Sequence, residues 1–274
     1  MKNLKINNIA YFLGMALIFT LPSCSKKISY PAPASITTGQ ASKLSKKKQI
    51  AYNFVTAPKD EAVLLESLLS DNFISREQKW KGDKDTFIDK RNSDSSIHQM
   101  RPIRIIQDDS LVAVHSRALG ETLKFRWDIL RIEDEKIQEQ WSNMNDSLGL
   151  NPAKHSESDG PTIANQIEKT DTNRALIERF IDQCMIREDG GAASFFNFKL
   201  YIQHNRDVND GVYGLLMGML KMKLKGETIK FKNNYHVIAE GNLVLSGTEG
   251  YVGEQKAVFY DLFRIEESNF ISAI

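Results

Sequence analysis

The sequence predicts an α+β protein made of two tandem cone-shaped α+β barrels, each with N-terminal helices packed on a curved, mostly antiparallel sheet. In each half of the chain, segments with helical periodicity come first and a run of strand-like segments follows, which is the element order of α+β folds. The segment Asp128–Glu133 (DILRIE) also recurs as Asp261–Glu266 (DLFRIE). This spacing is far longer than that of stacked solenoid repeats, so each copy is expected to bury its own core.

Length and composition agree with two soluble domains. The chain has 274 residues, of which 41% are apolar and 26% are charged, as is usual for globular proteins. The 36 basic residues are balanced by 35 acidic ones. Binding to a phosphate backbone needs a clustered excess of Lys and Arg, so no nucleic-acid partner is expected.

The N-terminus carries an export signal. Lys2 and Lys5 precede an apolar run, Ile9–Leu21, that is too short to cross a hydrocarbon core of roughly 30 Å as a helix. The run ends in Leu21-Pro22-Ser23-Cys24, which resembles the lipobox of bacterial lipoproteins. We therefore expect residues 1–23 to be a lipoprotein signal peptide and Cys24 to be lipidated. A plain secretory peptide that happens to contain a cysteine is the alternative.

Lipidation of Cys24 would attach the protein to the bacterial cell envelope, at the outer membrane facing the periplasm or the surface. Residues 24–42 are rich in Pro, Ala, Ser and Thr and are expected to form a flexible tether to the membrane. Cys184 is then the one remaining cysteine, so no intrachain disulfide can form. It lies in a helical segment and is expected to be a buried structural thiol.

Residues 43–145 are expected to form the first domain. Apolar residues recur at helical spacing after Gln49 and again after Asp60, and turn residues separate the later strand-like segments. An antiparallel meander is therefore expected at the end of this domain. The predicted elements are two helices beginning near Gln49 and Asp60, a strand at 72–75, a helix at 85–91 and strands at 101–107, 111–117, 123–132 and 136–141.

Residues 146–170 are polar, contain Gly and Pro, and are expected to be an interdomain linker, and residues 171–274 should form the second domain. Its final strand is expected to be truncated to a stub, which would leave residues 261–265 as an unpaired sheet edge. The predicted elements are helices at 172–187 and 211–224, a short helix after Gly191, and strands at 199–203, 228–239, 243–250, 255–265 and 270–271.

Four segments of the second domain, in this order, resemble the SnoaL-like branch of the nuclear-transport-factor-2-like superfamily: Tyr201–Asn205, Asp210-Gly211, Val237–Val244 and Asp261–Glu266. The first domain resembles this branch more weakly, through residues 107–116 and 128–133, and is expected to be a divergent copy. The resemblance implies a conical barrel with an apolar pocket at its open end. Members include polyketide cyclases, ketosteroid isomerases, epoxide hydrolases and binding domains without chemistry, so the fold does not decide the function.

One motif of the SnoaL-type cyclases is missing. The resemblance implies a catalytic Asp that directly follows a Trp on the last strand, but Trp141 is followed by Ser142 and the second domain stops before this position. We therefore expect the domains to bind a small apolar ligand or a partner without turnover. The alternative is an acid/base enzyme of the cyclase, isomerase or hydratase type that acts in the second domain.

The candidate catalytic residues of that alternative are His204 and Asp261. Strand alternation places Asp261 on one face with Phe259 and Phe263, where burial would raise its pKa and suit proton transfer. Because the first copy keeps Asp128, Asp261 could instead be a structural residue. His204 follows a short strand at the mouth of the implied pocket, where a neutral imidazole could transfer protons, although a histidine in a turn is more often a surface residue.

The expected ligand-binding residues are Tyr201, Asn205, Tyr213, Met217, Phe259 and Phe263. The five histidines show no metal-ligand spacing, so no metal is expected. No phosphate-binding glycine loop or nucleotide motif occurs, so no cofactor is expected. A third class of function remains open, since the sheets of two tandem copies could pair within the chain or with a second chain as a homodimer.

Overall fold

The computed structural model describes residues 34–273 apart from 60, 78, 95–96, 197, 199–200, 227 and 267–269. The predicted signal peptide, Cys24 and the first part of the tether therefore lie outside the described residues. Within the described part, helices pack on two sheets, and the predicted α+β class is confirmed. The helices are α1 (Thr38–Ala41), α2 (Lys46–Thr56), α3 (Ala62–Leu68), α4 (Lys84–Ser93), α5 (Thr170–Phe180) and α6 (Gly211–Leu224).

The first sheet has six strands in the order β2-β1-β6-β5-β4-β3. β1 runs parallel to β6 and all other neighbours are antiparallel. Asp134 and Glu135 both adopt positive φ between β5 and β6, as a two-residue type I′ hairpin requires. Its strands are β1 (Leu69–Ser75), β2 (Gly82–Asp83), β3 (Ile97–Asp108), β4 (Leu111–Gly120), β5 (Leu123–Glu133) and β6 (Lys136–Asp146).

The second sheet has four antiparallel strands in the order β10-β9-β8-β7. They are β7 (Ile229–Glu240), β8 (Leu243–Val252), β9 (Gln255–Glu266) and β10 (Phe270–Ala273). β10 pairs with Arg264, Ile265 and Glu266 only. The expected bare edge is therefore shorter than predicted, because Arg264 and Ile265 are covered while residues 261–263 have no strand partner on that side among the described residues.

Each sheet has its own core on its concave face. In the first half, α2, α3 and α4 contribute Phe54, Leu65 and Phe87 to a cluster that includes Leu130 and Ile132 of β5. In the second half, Ile177 of α5 packs with Phe263 and Ile265 of β9. α5 continues as a π-helical segment, Ile181–Ile186, instead of the regular helix predicted to residue 187.

The other faces of the two sheets pack against each other. A third buried cluster combines Ile106, Ala113 and Ile129 of the first sheet with Ile238, Leu243 and Leu245 of the second. Around it, the His115 ring stacks on Trp127 with centroids 4.4 Å apart. The Trp141 ring meets His236 edge-on at 4.6 Å. The two halves therefore share a continuous apolar interface.

The described end of the predicted flexible tether and the predicted linker both pack against the protein. In the tether, Thr37 forms a capping box with Gln40 at the start of α1, and Ala41 is buried. In the linker, Asn151 and His155 are buried, and Asn151 donates a hydrogen bond to the Gln203 carbonyl of the second half and accepts one from the His155 backbone. Polar composition predicted loops correctly here, but side-chain hydrogen bonds to backbone groups hold these loops in place.

Candidate functional site

The concave face of the second sheet carries two buried polar groups that have no hydrogen-bond partner among the described residues. Phe263 and Ile265 face the α5 side, whereas Tyr260 and Leu262 face the first sheet. Because strand residues alternate between faces, Asp261 lies on the concave side with Phe259 and Phe263. This is the face on which the sequence places it.

Asp261 has one buried carboxylate oxygen without a partner. The residue as a whole is partly accessible, but Oδ2 is buried and accepts no hydrogen bond from any described residue. Burial raises the pKa of Asp261 to about 6, because desolvation disfavours the charged form. A carboxyl group that titrates near neutrality can accept a hydrogen bond from a ligand and can also transfer a proton.

Ser246 lies directly opposite Asp261 in the β8–β9 register. Its side chain is fully buried, and its Oγ also has no hydrogen-bond partner in the described part of the chain. Opposed residues in an antiparallel pair bring their Cβ atoms to about 5 Å. Two neighbouring polar groups on this face are thus left without partners, which is uncommon in folded proteins.

Tyr201 is buried next to this carboxyl group. Its hydroxyl oxygen accepts a hydrogen bond from Gln203 Nε2 at 2.9 Å, and its ring meets Phe196 edge-on at 4.8 Å. Burial, with the nearby charges of Asp261 and Asp210, holds the pKa of Tyr201 well above its usual value. The phenol is therefore neutral near pH 7 and retains its proton as a hydrogen-bond donor.

Gln203 also fixes the turn that carries the two predicted mouth residues. Its Oε1 accepts hydrogen bonds from the backbone N–H groups of His204 at 2.7 Å and Asn205 at 2.9 Å. The Asn205 side chain accepts a hydrogen bond from the Asp207 backbone. Asn205 thus stabilises the turn, and the half-buried His204 packs with its ring 5.6 Å from the ring of His155 in the linker.

His155 and Asp210 form a partly buried pair that the sequence did not predict. His155 Nε2 lies 3.1 Å from Asp210 Oδ2, and the other oxygen of Asp210 accepts from the Gln203 backbone at 3.0 Å. Asn151 ties the linker to the same turn by donating to the carbonyl groups of Gln203 and Val208. Residues 50 or more positions apart meet here, so no local pattern could have revealed the pair.

The corresponding part of the first sheet is filled by charged side chains. Arg126 is fully buried and donates to both oxygens of Glu77, at 3.0 and 2.7 Å, and to both oxygens of Asp128, at 2.8 Å each. Gln140 also donates to Asp128 at 2.9 Å, and Trp80 covers the guanidinium group at 4.6 Å. The cavity that remains here measures about 10 Å³, too small for any ligand beyond one water molecule.

Phe259 explains why the two sheets differ. When the two similar segments are aligned, Asp261 corresponds to Asp128, and the residue two positions earlier is Phe259 in the second segment and Arg126 in the first. The Phe259 ring meets Phe231 edge-on at 5.0 Å. An aromatic ring cannot donate to the carboxyl group, so this replacement removes the cation that occupies the first site.

A larger depression of about 630 Å³ lies between the two halves. Several of its charged groups are already paired across the halves. Arg174 donates to both oxygens of Asp108 at 3.1 and 2.7 Å, and Lys48 lies 2.6 Å from Glu240. These pairs join the two halves, and we assign the depression to the interface instead of to a ligand.

The remaining predicted ligand-binding residues are divided between the core and the surface. Phe263 is fully buried beside Phe180 and Ile271. Tyr213 and Met217, in contrast, are 71% and 44% exposed on α6. These two residues are therefore not enclosed with Tyr201.

Cys184 is half-buried and donates weakly to the Gly190 carbonyl at 3.5 Å. Burial raises the pKa of its thiol, which disfavours a reactive thiolate. Among the described residues no group of His, Cys, Asp and Glu has the geometry of a metal site. No helix within the described ranges is long and apolar enough to cross a membrane.

No family model and no curated protein matches this chain. Solved structures that resemble part of it include a loop-truncation variant of IdmH, with 14% identity over 36% of this chain and 92% of that chain and a TM-score of 0.33. A putative polyketide cyclase from Bacillus cereus ATCC 10987 has 18% identity over 43% and 89%, with a TM-score of 0.32. A bacterial protein with a cystatin-like fold from Silicibacter pomeroyi DSS-3 has 14% identity over 35% and 73%, with a TM-score of 0.31.

Proposed function

We propose that this protein binds a small, largely apolar ligand on the concave face of the second sheet, and that a polar group of the ligand donates a hydrogen bond to Asp261. The observation that carries the proposal is the buried Oδ2 of Asp261, which lacks a partner among the described residues. Burying an unpaired carboxylate oxygen is unfavourable. A ligand donor at this position would supply the missing hydrogen bond.

The surroundings of Asp261 support an apolar ligand with few polar groups. Phe259 lies on the same face of β9 two residues earlier and its ring contacts Phe231, and the neutral Tyr201 is close enough for the charge of Asp261 to raise its pKa. Small-molecule sites commonly combine apolar walls with a few fixed polar groups. Asp128 of the first sheet does not offer such a position, because Arg126 and Gln140 already donate hydrogen bonds to both of its oxygens.

The neutral fluorescent amine N-phenyl-1-naphthylamine tests the proposal, because it is apolar and carries a single N–H donor. We expect it to bind the full chain and to bind the Asp261→Asn variant about tenfold more weakly, since a hydrogen bond to a charged group contributes roughly 1.5–3 kcal/mol. Asp71→Asn is the matched control, because that carboxyl group is fully exposed. Equal affinity in all three proteins would exclude Asp261 as the ligand contact.

A second candidate is acid/base catalysis by Asp261, with His204 as the other predicted proton carrier. The raised pKa of about 6 favours it, since a base that titrates near neutrality is effective at physiological pH. Base-catalysed opening of 5-nitrobenzisoxazole is a general probe of such a carboxylate. The catalytic hypothesis expects a rate that rises with pH through about 6 and is lost in Asp261→Asn; His204→Ala tests the second carrier. An unchanged rate in Asp261→Asn rejects it.

We also propose that the protein is an envelope lipoprotein acylated at Cys24. The basic start, the short apolar run and Leu21-Pro22-Ser23-Cys24 support this. Cells that express the full chain should incorporate labelled fatty acid into it, and the Cys24→Ser variant should not. Incorporation that persists in Cys24→Ser would contradict an anchor at this residue.

A further inference from the structure

α6 exposes most of its apolar side chains. Tyr213, Met217, Leu220 and Leu224 are 71%, 44%, 44% and 79% exposed. Successive spacings of four, three and four residues place them along one side of the helix. At about 100° per residue they fall within an arc of roughly 60°, so they form a continuous outer stripe.

Residues outside this stripe attach α6 to the protein. Val212 is buried in the second core, and Leu215 and Leu216 pack against it. Gly214 and Gly218 approach the preceding loop so closely that a Cβ atom would lie 2.2 Å from the Asn209 carbonyl oxygen and 2.7 Å from a Val208 methyl group, respectively. This close contact fixes the rotation of α6 and directs the stripe outward.

Lysines flank the stripe. Lys221 and Lys223 lie roughly 70–90° to either side of it at the C-terminal end of α6. Lys225, Lys230 and Lys232 follow in the next turn and at the start of β7, and all five are exposed. Within the described part of the chain, none of the five forms an ion pair. An apolar stripe bordered by unpaired cations is typical of helices that lie in a membrane interface.

We propose that the outer stripe of α6 docks on an anionic phospholipid surface. The apolar side chains of the stripe would enter the boundary between head groups and acyl chains. The long side chains of Lys221 and Lys223 would reach back to the phosphates, which is the usual behaviour of interfacial lysines.

Charge favours a membrane over a second copy of the chain. A parallel pairing of two outer stripes would bring the lysines of one helix close to those of the other, and like charges at such distances repel. An antiparallel pairing would place Lys221 and Lys223 beside the N-terminal turn of the partner helix, which carries no acidic residue to neutralise them. An anionic surface meets both features at once, because it takes up the apolar side chains and neutralises the lysines. The contact is independent of Asp261, so the ligand site and the membrane contact can fail separately.

The test uses the full chain with Cys24→Ser and Cys184→Ser, so that an environment-sensitive fluorophore can be attached to a single introduced cysteine. Met217→Cys reports on the stripe, and Val63→Cys reports on an exposed position in the first half, 78% accessible on α3. Both labelled proteins are mixed with vesicles of phosphatidylethanolamine and phosphatidylglycerol, or of phosphatidylcholine alone. Because the label is local, binding through the N-terminal apolar run does not produce the signal.

We expect a blue shift, and quenching by bilayer-embedded quenchers, at position 217 with the anionic vesicles only and not at position 63. Lys221→Gln with Lys223→Gln should weaken the response roughly 30-fold, at about one factor of five per lysine. Lys46→Gln with Lys47→Gln on α2 is the matched control and should leave it unchanged. The proposal is overturned if the label at position 217 does not respond to anionic vesicles. It is also overturned if the label shifts without lipid and the shift grows with protein concentration, because the stripe would then bind a second copy of the chain.

Discussion

Asp261 and Ser246 face each other across β9 and β8, and Asp261 Oδ2 and Ser246 Oγ are both buried without a hydrogen-bond partner among the described residues. In the similar segment of the first half, both oxygens of the carboxyl group are hydrogen-bonded, since Arg126 and Gln140 donate to Asp128. An unsatisfied buried polar pair costs stability. The second sheet therefore keeps an unfavourable arrangement that a ligand could relieve.

Asp261→Asn should remove a pH dependence of stability. The folded-state pKa of about 6 lies above the usual value of 3.8, so the folded protein binds the proton more tightly. It therefore loses stability as pH rises from about 4 through about 6. Two pKa units correspond to roughly 3 kcal/mol. Urea unfolding should show this loss in the native chain but not in Asp261→Asn, and an identical pH profile for both would refute the unpaired carboxylate.

Phe259→Arg should convert the second site into a copy of the first. The new guanidinium group would lie two residues before Asp261, as Arg126 lies two residues before Asp128. An adjacent cation stabilises the carboxylate, so the pKa of Asp261 should fall from about 6 and binding of the naphthylamine should be lost. NMR titration of the carboxyl carbon measures the first effect. Phe259→Leu, which adds no charge, is the control and should leave the pKa raised.

Arg126→Met should strongly destabilise the first half. The substitution leaves Glu77 and Asp128 buried without their cation, and breaking a buried pair from one side costs about 3–5 kcal/mol. Adding Glu77→Gln and Asp128→Asn should recover part of that loss, because the remaining groups are then neutral. Glu135→Gln breaks the exposed pair with Lys46 and should cost less than about 1 kcal/mol in denaturant unfolding.

His115 should make the interface between the halves sensitive to acid. Burial, with Arg104 and Arg117 nearby, holds the pKa of His115 well below its usual 6.5. The unfolded chain therefore takes up a proton more readily, and stability is lost as pH falls below about 6.5. His115→Phe keeps an aromatic ring on Trp127. In thermal unfolding, this variant should lose less stability than the native chain as pH falls. If the variant loses as much stability at acid pH as the native chain, groups other than His115 cause the loss.

Hydrogen exchange should distinguish the two β-sheet edges. β5 is covered by β6 along its whole length, from Lys124 to Glu133, whereas β10 covers only Arg264–Glu266 of β9. Unpaired edge amides exchange more readily. We expect the outward-facing amides of residues 257–263 to exchange faster than those of residues 124–130. Equal protection would show that this edge is covered in solution.

The hairpin turns and the alternation of apolar residues were sufficient to predict much of the fold. Asp134-Glu135 correctly marked a tight turn between strands, and the alternation around Asp261 assigned its face. The same local patterns could not predict that the linker is packed, because Asn151 and His155 are held by Gln203 and Asp210, more than 50 positions later. The pattern also predicted that Tyr213 and Met217 line a pocket, whereas both side chains are exposed. A stripe of apolar residues has the same sequence pattern whether that side of the helix faces a core or the solvent.

The sequence by itself determined the α+β class, the strand that carries Asp261 and the face on which it lies, because helical and strand periodicities are local properties of the chain. It also contained the exchange of Arg126 for Phe259. Only the tertiary structure decided how this difference affects the hydrogen bonding of the two carboxyl groups. Whether a buried carboxyl group finds enough hydrogen-bond donors depends on residues from other strands. Gln140 of β6 completes the bonding of Asp128, whereas no described residue donates to the buried Oδ2 of Asp261.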